Sequence, residues 1–104
     1  MTKKKEHSIQ NGKYKIIIEQ HEMRMSHLVN GFAIVNTATK SHVINLLNSI
    51  WDLVSFEEEG EKIILQCRKY PYGIPYTLKI IFSKRILYVN GVKHKIEYHK
   101  ELLK

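Results

Sequence analysis

LVSFEEEGEKIILQCRKYPYGIPYTLKIIFSKRILYVNG, residues 53–91, is a succession of β-branched and aromatic runs broken only by short turn sequences. Along it apolar residues alternate with polar ones, which puts successive side chains on opposite faces of a strand. Over 62–70, Ile63, Leu65 and Cys67 share one face, and Ile64, Gln66, Arg68 and Tyr70 the other. Over 74–82, Ile74, Tyr76, Leu78, Ile80 and Phe82 point inward, with Thr77 and Lys79 outward. Gly60 turns the first hairpin, 71–73 the next, and Ser83-Lys84 leads into ILYV at 86–89. Asn90-Gly91 then supplies the pair that tolerates the positive φ of a two-residue hairpin, and 92–98 continues the meander. Residues 99–104 are read as a closing helical turn.

Working outward, Tyr14–Gln20 (YKIIIEQ) is strand-like. In His21–Val29 an extended strand would put Met23, Met25 and His27 on one face, and Glu22, Arg24 and Ser26 on the other. Asn30-Gly31 reads as a turn, and Phe32–Asn36 (FAIVN) as a further apolar run. Two readings compete for 41–53. A helix would be capped by Ser41, with Val43, Leu46, Leu47, Ile50 and Val54 as its stripe. A strand at 42–47 agrees better with Val43 and Ile44 and with the lack of a capping-box Glu or Gln at 44. The expected fold is therefore mostly β, an antiparallel meander forming a curled sheet or small barrel; the alternative is α+β with a helix at about 41–53. Residues 1–12 are expected to be a flexible basic tail ahead of one β-rich domain at 13–104.

Composition bounds the function. The 104 residues suit one domain with a real core, and 43% hydrophobic with 26% charged residues is an ordinary globular balance. No apolar run reaches the ~18 residues of a membrane span. The charged start lacks a secretory signal, and a single cysteine cannot form an internal disulfide, so a cytoplasmic setting is expected. A bias to Lys and Ile with little Pro, Ala or Arg is the composition of AT-rich bacterial genomes. The formal charge of +7 invites a nucleic-acid partner. Its distribution argues for solubility instead: residues 1–13 carry +3 and 93–104 carry +2, leaving only +2 for the long middle.

Three pieces, Glu22-Met-Arg-Met-Ser-His27, Trp51-Asp52 and Arg68-Lys-Tyr-Pro71, give the chain a layout that resembles small uncharacterised bacterial β-rich proteins. The resemblance spans about residues 14–82. It implies a β fold and no function.

Each chemical candidate has a plainer reading beside it. His21 and His27 would lie about 20 Å apart on a strand, at ~3.3 Å per residue, too far to share a metal. His94 and His99 are also misaligned, and no metal or other cofactor is expected. Cys67 alternates with Ile63 and Leu65 as a buried thiol does. Asp52, the only aspartate, reads as a turn residue bonding its own backbone, with a functional alternative in which it meets Arg24 or Arg68 in a cleft. Tyrosines on a loop stiffened by Pro71 and Pro75 offer rigid, amphipathic contact area. The glycines fall at turns, and no phosphate-cradling loop or nucleophile-elbow pattern is present.

The sequence therefore points to a non-enzymatic module that binds a protein partner or a second copy of itself. Its candidate binding residues are Arg24, Asp52, Arg68, Tyr70, Tyr72 and Tyr76. Weak nucleic-acid binding through the lysine tails and tyrosine loop is one alternative. A ligand site or enzyme inside a curled sheet, lined by His21, His27, Asp52 and Arg68, is the other.

Overall fold

Alternation dominates the chain, and the structure is accordingly a β protein, with nine strands among the described residues. The computed structural model describes residues 4–23 and 28–103. The strands are β1 (Lys4–Ile9), β2 (Tyr14–Glu22), β3 (Leu28–Asn36), β4 (His42–Leu46), β5 (Trp51–Glu59), β6 (Lys62–Lys69), β7 (Ile74–Ile81), β8 (Ile86–Val89) and β9 (Val92–Lys95). A short α-helix, α1 (His99–Leu102), follows. The strands form two antiparallel meanders, β1-β2-β3-β4 and β5-β6-β7-β8-β9, which share one core without closing into a barrel.

The hairpins of 53–91 lie where alternation places them. Ile63, Leu65, Cys67, Leu78 and Ile80 are buried, and Asn90 and Gly91 both have positive φ, as a primed turn requires. Ile74 departs from its pattern: it is half exposed, because the β6–β7 hairpin runs past the core at its tip. Residues 42–46 are a strand, not a helix. The segment 47–50 is a turn, and β5 begins directly at Trp51.

Three expectations are corrected. Lys4–Ile9 is not a tail but an edge strand, in register with β2 from Lys4↔Glu19 to Ile9↔Tyr14. Only Ile9 of this strand is buried, so KKEHSI carries almost no apolar signal. Charged residues on an edge strand also discourage pairing with other chains. Part of the basic charge is neutralised there, since Glu6 sits 2.8 Å from Lys15 and 3.4 Å from Lys4. The Lys15 ammonium, and then Lys4, hold the Glu6 carboxyl below its usual range.

Asn30-Gly31 is likewise not a turn but lies within β3. Gly31 has no positive φ. It is needed for space: a Cβ there would lie 3.0 Å from Asn48 N and from Leu46 O, and 3.2 Å from Leu47 Cα. The chain leaving β4 therefore passes directly over this residue, a close backbone approach that favours glycine. The third correction concerns Asp52, which is a strand residue whose backbone pairs with Arg68.

The sheets pack through the large apolar side chains. Tyr14 stacks on Phe82 at 4.3 Å and 23°. Trp51 is buried, meets Tyr76 edge-on at 4.9 Å, and donates its indole N–H to the Leu103 carbonyl at 2.8 Å. That bond ties the C-terminal turn to the core. His99 ties the same turn to the first sheet: its Nδ1 lies 2.9 Å from the Ile96 carbonyl, and its Nε2 accepts from Asn45 N–H at 3.3 Å. Burial lowers the His99 pKa, in keeping with a neutral ring that donates at Nδ1 and accepts at Nε2.

Gly31→Ala tests the crossing. The backbone of residues 46–48 against the added methyl should make the variant less stable by about 1–3 kcal/mol in urea unfolding, an overpacking cost. An unchanged midpoint would contradict the crossing.

Candidate functional site

β4 pairs with β3 only as far as Phe32↔Leu46, so the Asn30 N–H beyond it has no ladder partner on that side. The Asp52 carboxylate takes that place. Its Oδ1 accepts from Asn30 N–H at 2.8 Å, and its Oδ2 accepts from the Arg68 guanidinium at 3.0 Å. Asp52 is buried, whereas the Arg68 side chain is 58% exposed. The pair thus has one desolvated end and one wet end. A buried carboxylate is tolerable where charge and hydrogen bonds both compensate it, as they do here.

Above this pair lies a small cleft of about 130 Å³. Asp52 and Arg68 form its base, Leu28 and Val29 of β3 one side, and Tyr70, Pro71 and Gly73 of the β6–β7 turn the other. Gly73 has a φ of 69°, which closes the turn. Tyr72 stands at the tip with 86% exposure, and Leu28 in the cleft lining is about half exposed; Ile74, also half exposed, pairs with Lys69 and so lies on the face of the hairpin opposite Arg68. The cleft thus brings Tyr70, Pro71 and Leu28 together with a partly exposed guanidinium.

Of the residues singled out from the sequence, the structure gathers Asp52, Arg68 and Tyr70 on the cleft and sets Tyr72 next to it. Tyr76 is elsewhere: it is half-buried, with its ring packed on Trp51. Arg24 lies outside the described residues, as does His27. His21 does not line the cleft, although it pairs with Val29, which does; its Nε2 lies 2.9 Å from the Ser49 carbonyl. Lys69 is diverted too, its ammonium 5.7 Å from the centre of the Trp51 ring.

In the cleft both Asp52 oxygens are engaged, one by the Asn30 N–H and one by the Arg68 guanidinium. Cys67 is buried on the inward face, and burial, with the Asp52 charge adding to it, pushes its thiol up to about 12. Such a thiol is not a nucleophile near neutral pH. Among the described residues, no group of three or more His, Cys, Asp or Glu side chains could hold a metal ion, and no helix is long and apolar enough to cross a membrane. No protein-family model, curated protein or solved structure matches the chain, so its function rests on the geometry alone.

The two bonds of Asp52 can be separated by substitution. Asp52→Ala leaves the Asn30 N–H unpaired and should cost about 2–3 kcal/mol in urea unfolding. Asp52→Asn keeps an acceptor for Asn30 and loses only the half-exposed ion pair, so its cost should be about 1 kcal/mol or less. Equal costs for the two variants would contradict the assignment.

Proposed function

We propose that the chain is a non-enzymatic binding module for a protein partner, with the β6–β7 hairpin tip and the Asp52–Arg68 cleft as its contact surface. One observation carries this reading: Leu28 is more than half exposed in the lining of the cleft and Tyr72 stands exposed between Pro71 and Gly73, which line it too, beside a guanidinium that Asp52 already holds in place. Tyrosine and arginine are over-represented among the residues that dominate binding energy between proteins. A hairpin tip also presents them at low entropic cost, since the strands behind it are paired along their length. Clusters of exposed apolar side chains on a small domain commonly mark an interaction site. The engaged carboxylate and the inert thiol fit a contact surface better than an active site.

Site-specific photo-crosslinking in the protein's own cells tests this. A benzophenone amino acid at Tyr72 should yield protein-sized adducts, and Arg68→Ala should reduce them at least about threefold, the loss expected for a contact worth ~1 kcal/mol. The same probe at Lys84, beyond the far end of β7, should yield none. Adduct masses would show whether the partner is a second copy. No protein adduct from position 72, or equal adducts from both positions, would overturn the proposal.

A further inference from the structure

The second sheet covers only part of the first. Paired residues share a face, so β1 directs Lys5, His7 and Ile9 inward together with Ile18, Ile16 and Tyr14 of β2. At the covered end these positions are apolar and buried, as with Ile9 and Ile16. Toward the other end the same face becomes polar: His7, then Lys5, with Gln20 and Asn30 beside them across β2 and β3. There the face forms the floor of an open groove of about 590 Å³, and β5 forms its wall.

That wall is shaped by a bulge. The β5–β6 register slips between Leu53↔Cys67 and Ser55↔Gln66, leaving Val54 unpaired. The extra residue lets both Leu53 and Phe56 face the core side, while Val54 stays more than half exposed against the groove. His7 closes one end with its ring 5.6 Å from that of Phe56. Gln10 fixes β1 there, its backbone N–H donating to Glu58 at 2.7 Å and its side-chain amide to the Gly60 carbonyl at 3.0 Å.

The lining has a definite sign. Among the described residues it includes Lys5, His7, the carboxamide residues Gln20 and Asn30, and Ser55, but no carboxylate. Lys4 and Lys15 are paired with Glu6, while Lys5 has no ion pair among the described residues. The nearest buried charge, Asp52, is spent on Asn30 N–H and Arg68. Ile18, Leu53 and Val54 supply the apolar surface. The volume lies within the roughly 300–1,000 Å³ usual for small-ligand sites.

We propose that this groove binds an organic carboxylate with an apolar body, its charge held by Lys5 and its chain laid against Ile18, Leu53 and Val54. The site shares no lining residue with the Asp52–Arg68 cleft and does not depend on the role given to that cleft.

Octanoate is the probe, followed by amide NMR on the full chain. It should shift the Lys5, Gln20 and Val54 amides saturably at roughly millimolar concentration. Octanol, which has the same chain without the charge, should bind at least threefold more weakly. Lys5→Gln should weaken octanoate three- to tenfold. Val54→Glu, an exposed position where the fold should be retained, should weaken it more than tenfold by setting a like charge in the groove. No saturable change at those amides would overturn the proposal, as would octanol binding as tightly as octanoate, or both variants binding octanoate like the wild type.

Discussion

One carboxylate joins the two sheets. Asp52 receives the Asn30 N–H from the first sheet and the Arg68 guanidinium from the second. It stands where β4 has ended and β3 continues, so a side chain completes a ladder that backbone no longer serves. The requirement is physical: a buried N–H without an acceptor is costly, and so is a buried carboxylate without donors. Each satisfies the other, and Arg68 supplies the counter-charge at the solvent side. Trp51, one residue earlier, turns the opposite way into the core and anchors the C-terminal turn through the Leu103 carbonyl.

Much of the surface geometry follows from where this junction sits. β5 starts beside β3 at Asp52 and reaches the end of β1 at Glu58, where Gln10 meets it. It therefore crosses the inner face of the first sheet and leaves one corner uncovered. That corner is the polar groove, and Asn30 is on its edge. On the other side of the junction, Arg68 and the β6–β7 hairpin overhang Leu28 and form the cleft. The turn between β4 and β5 must double back tightly to make this crossing, and Gly31 is the residue that gives it room.

The hairpins of residues 53–91 were legible because local signals agree there: two-residue alternation, β-branched residues and Asn-Gly or Gly turns all point the same way. Asn30-Gly31 misleads for a clear reason. The same dipeptide that permits positive φ in Asn90-Gly91 here serves a backbone crossing that has no local signature. Lys4–Ile9 reads as a tail because an edge strand with one buried residue has nothing apolar to alternate. Asp52 reads as a turn residue, and Arg68 was only one of its two partners in the functional alternative, because the readable hairpin starts one residue later at Leu53. Its bond to Asn30, 22 positions away, was not legible, because it depends on how two sheets meet. The groove is hidden for the same reason: Lys5, His7, Gln20 and Val54 become neighbours only through that crossing.

Native-state hydrogen exchange at the Asn30 amide addresses the junction most directly. In the wild type this amide should exchange about as slowly as those of Phe32 and Ile34 in the same strand. In Asp52→Ala it should lose protection selectively, while Phe32 and Ile34 change only as far as the global stability does. An Asn30 amide that exchanges freely in the wild type, or is equally protected in the variant, would contradict a fold joined through Asp52.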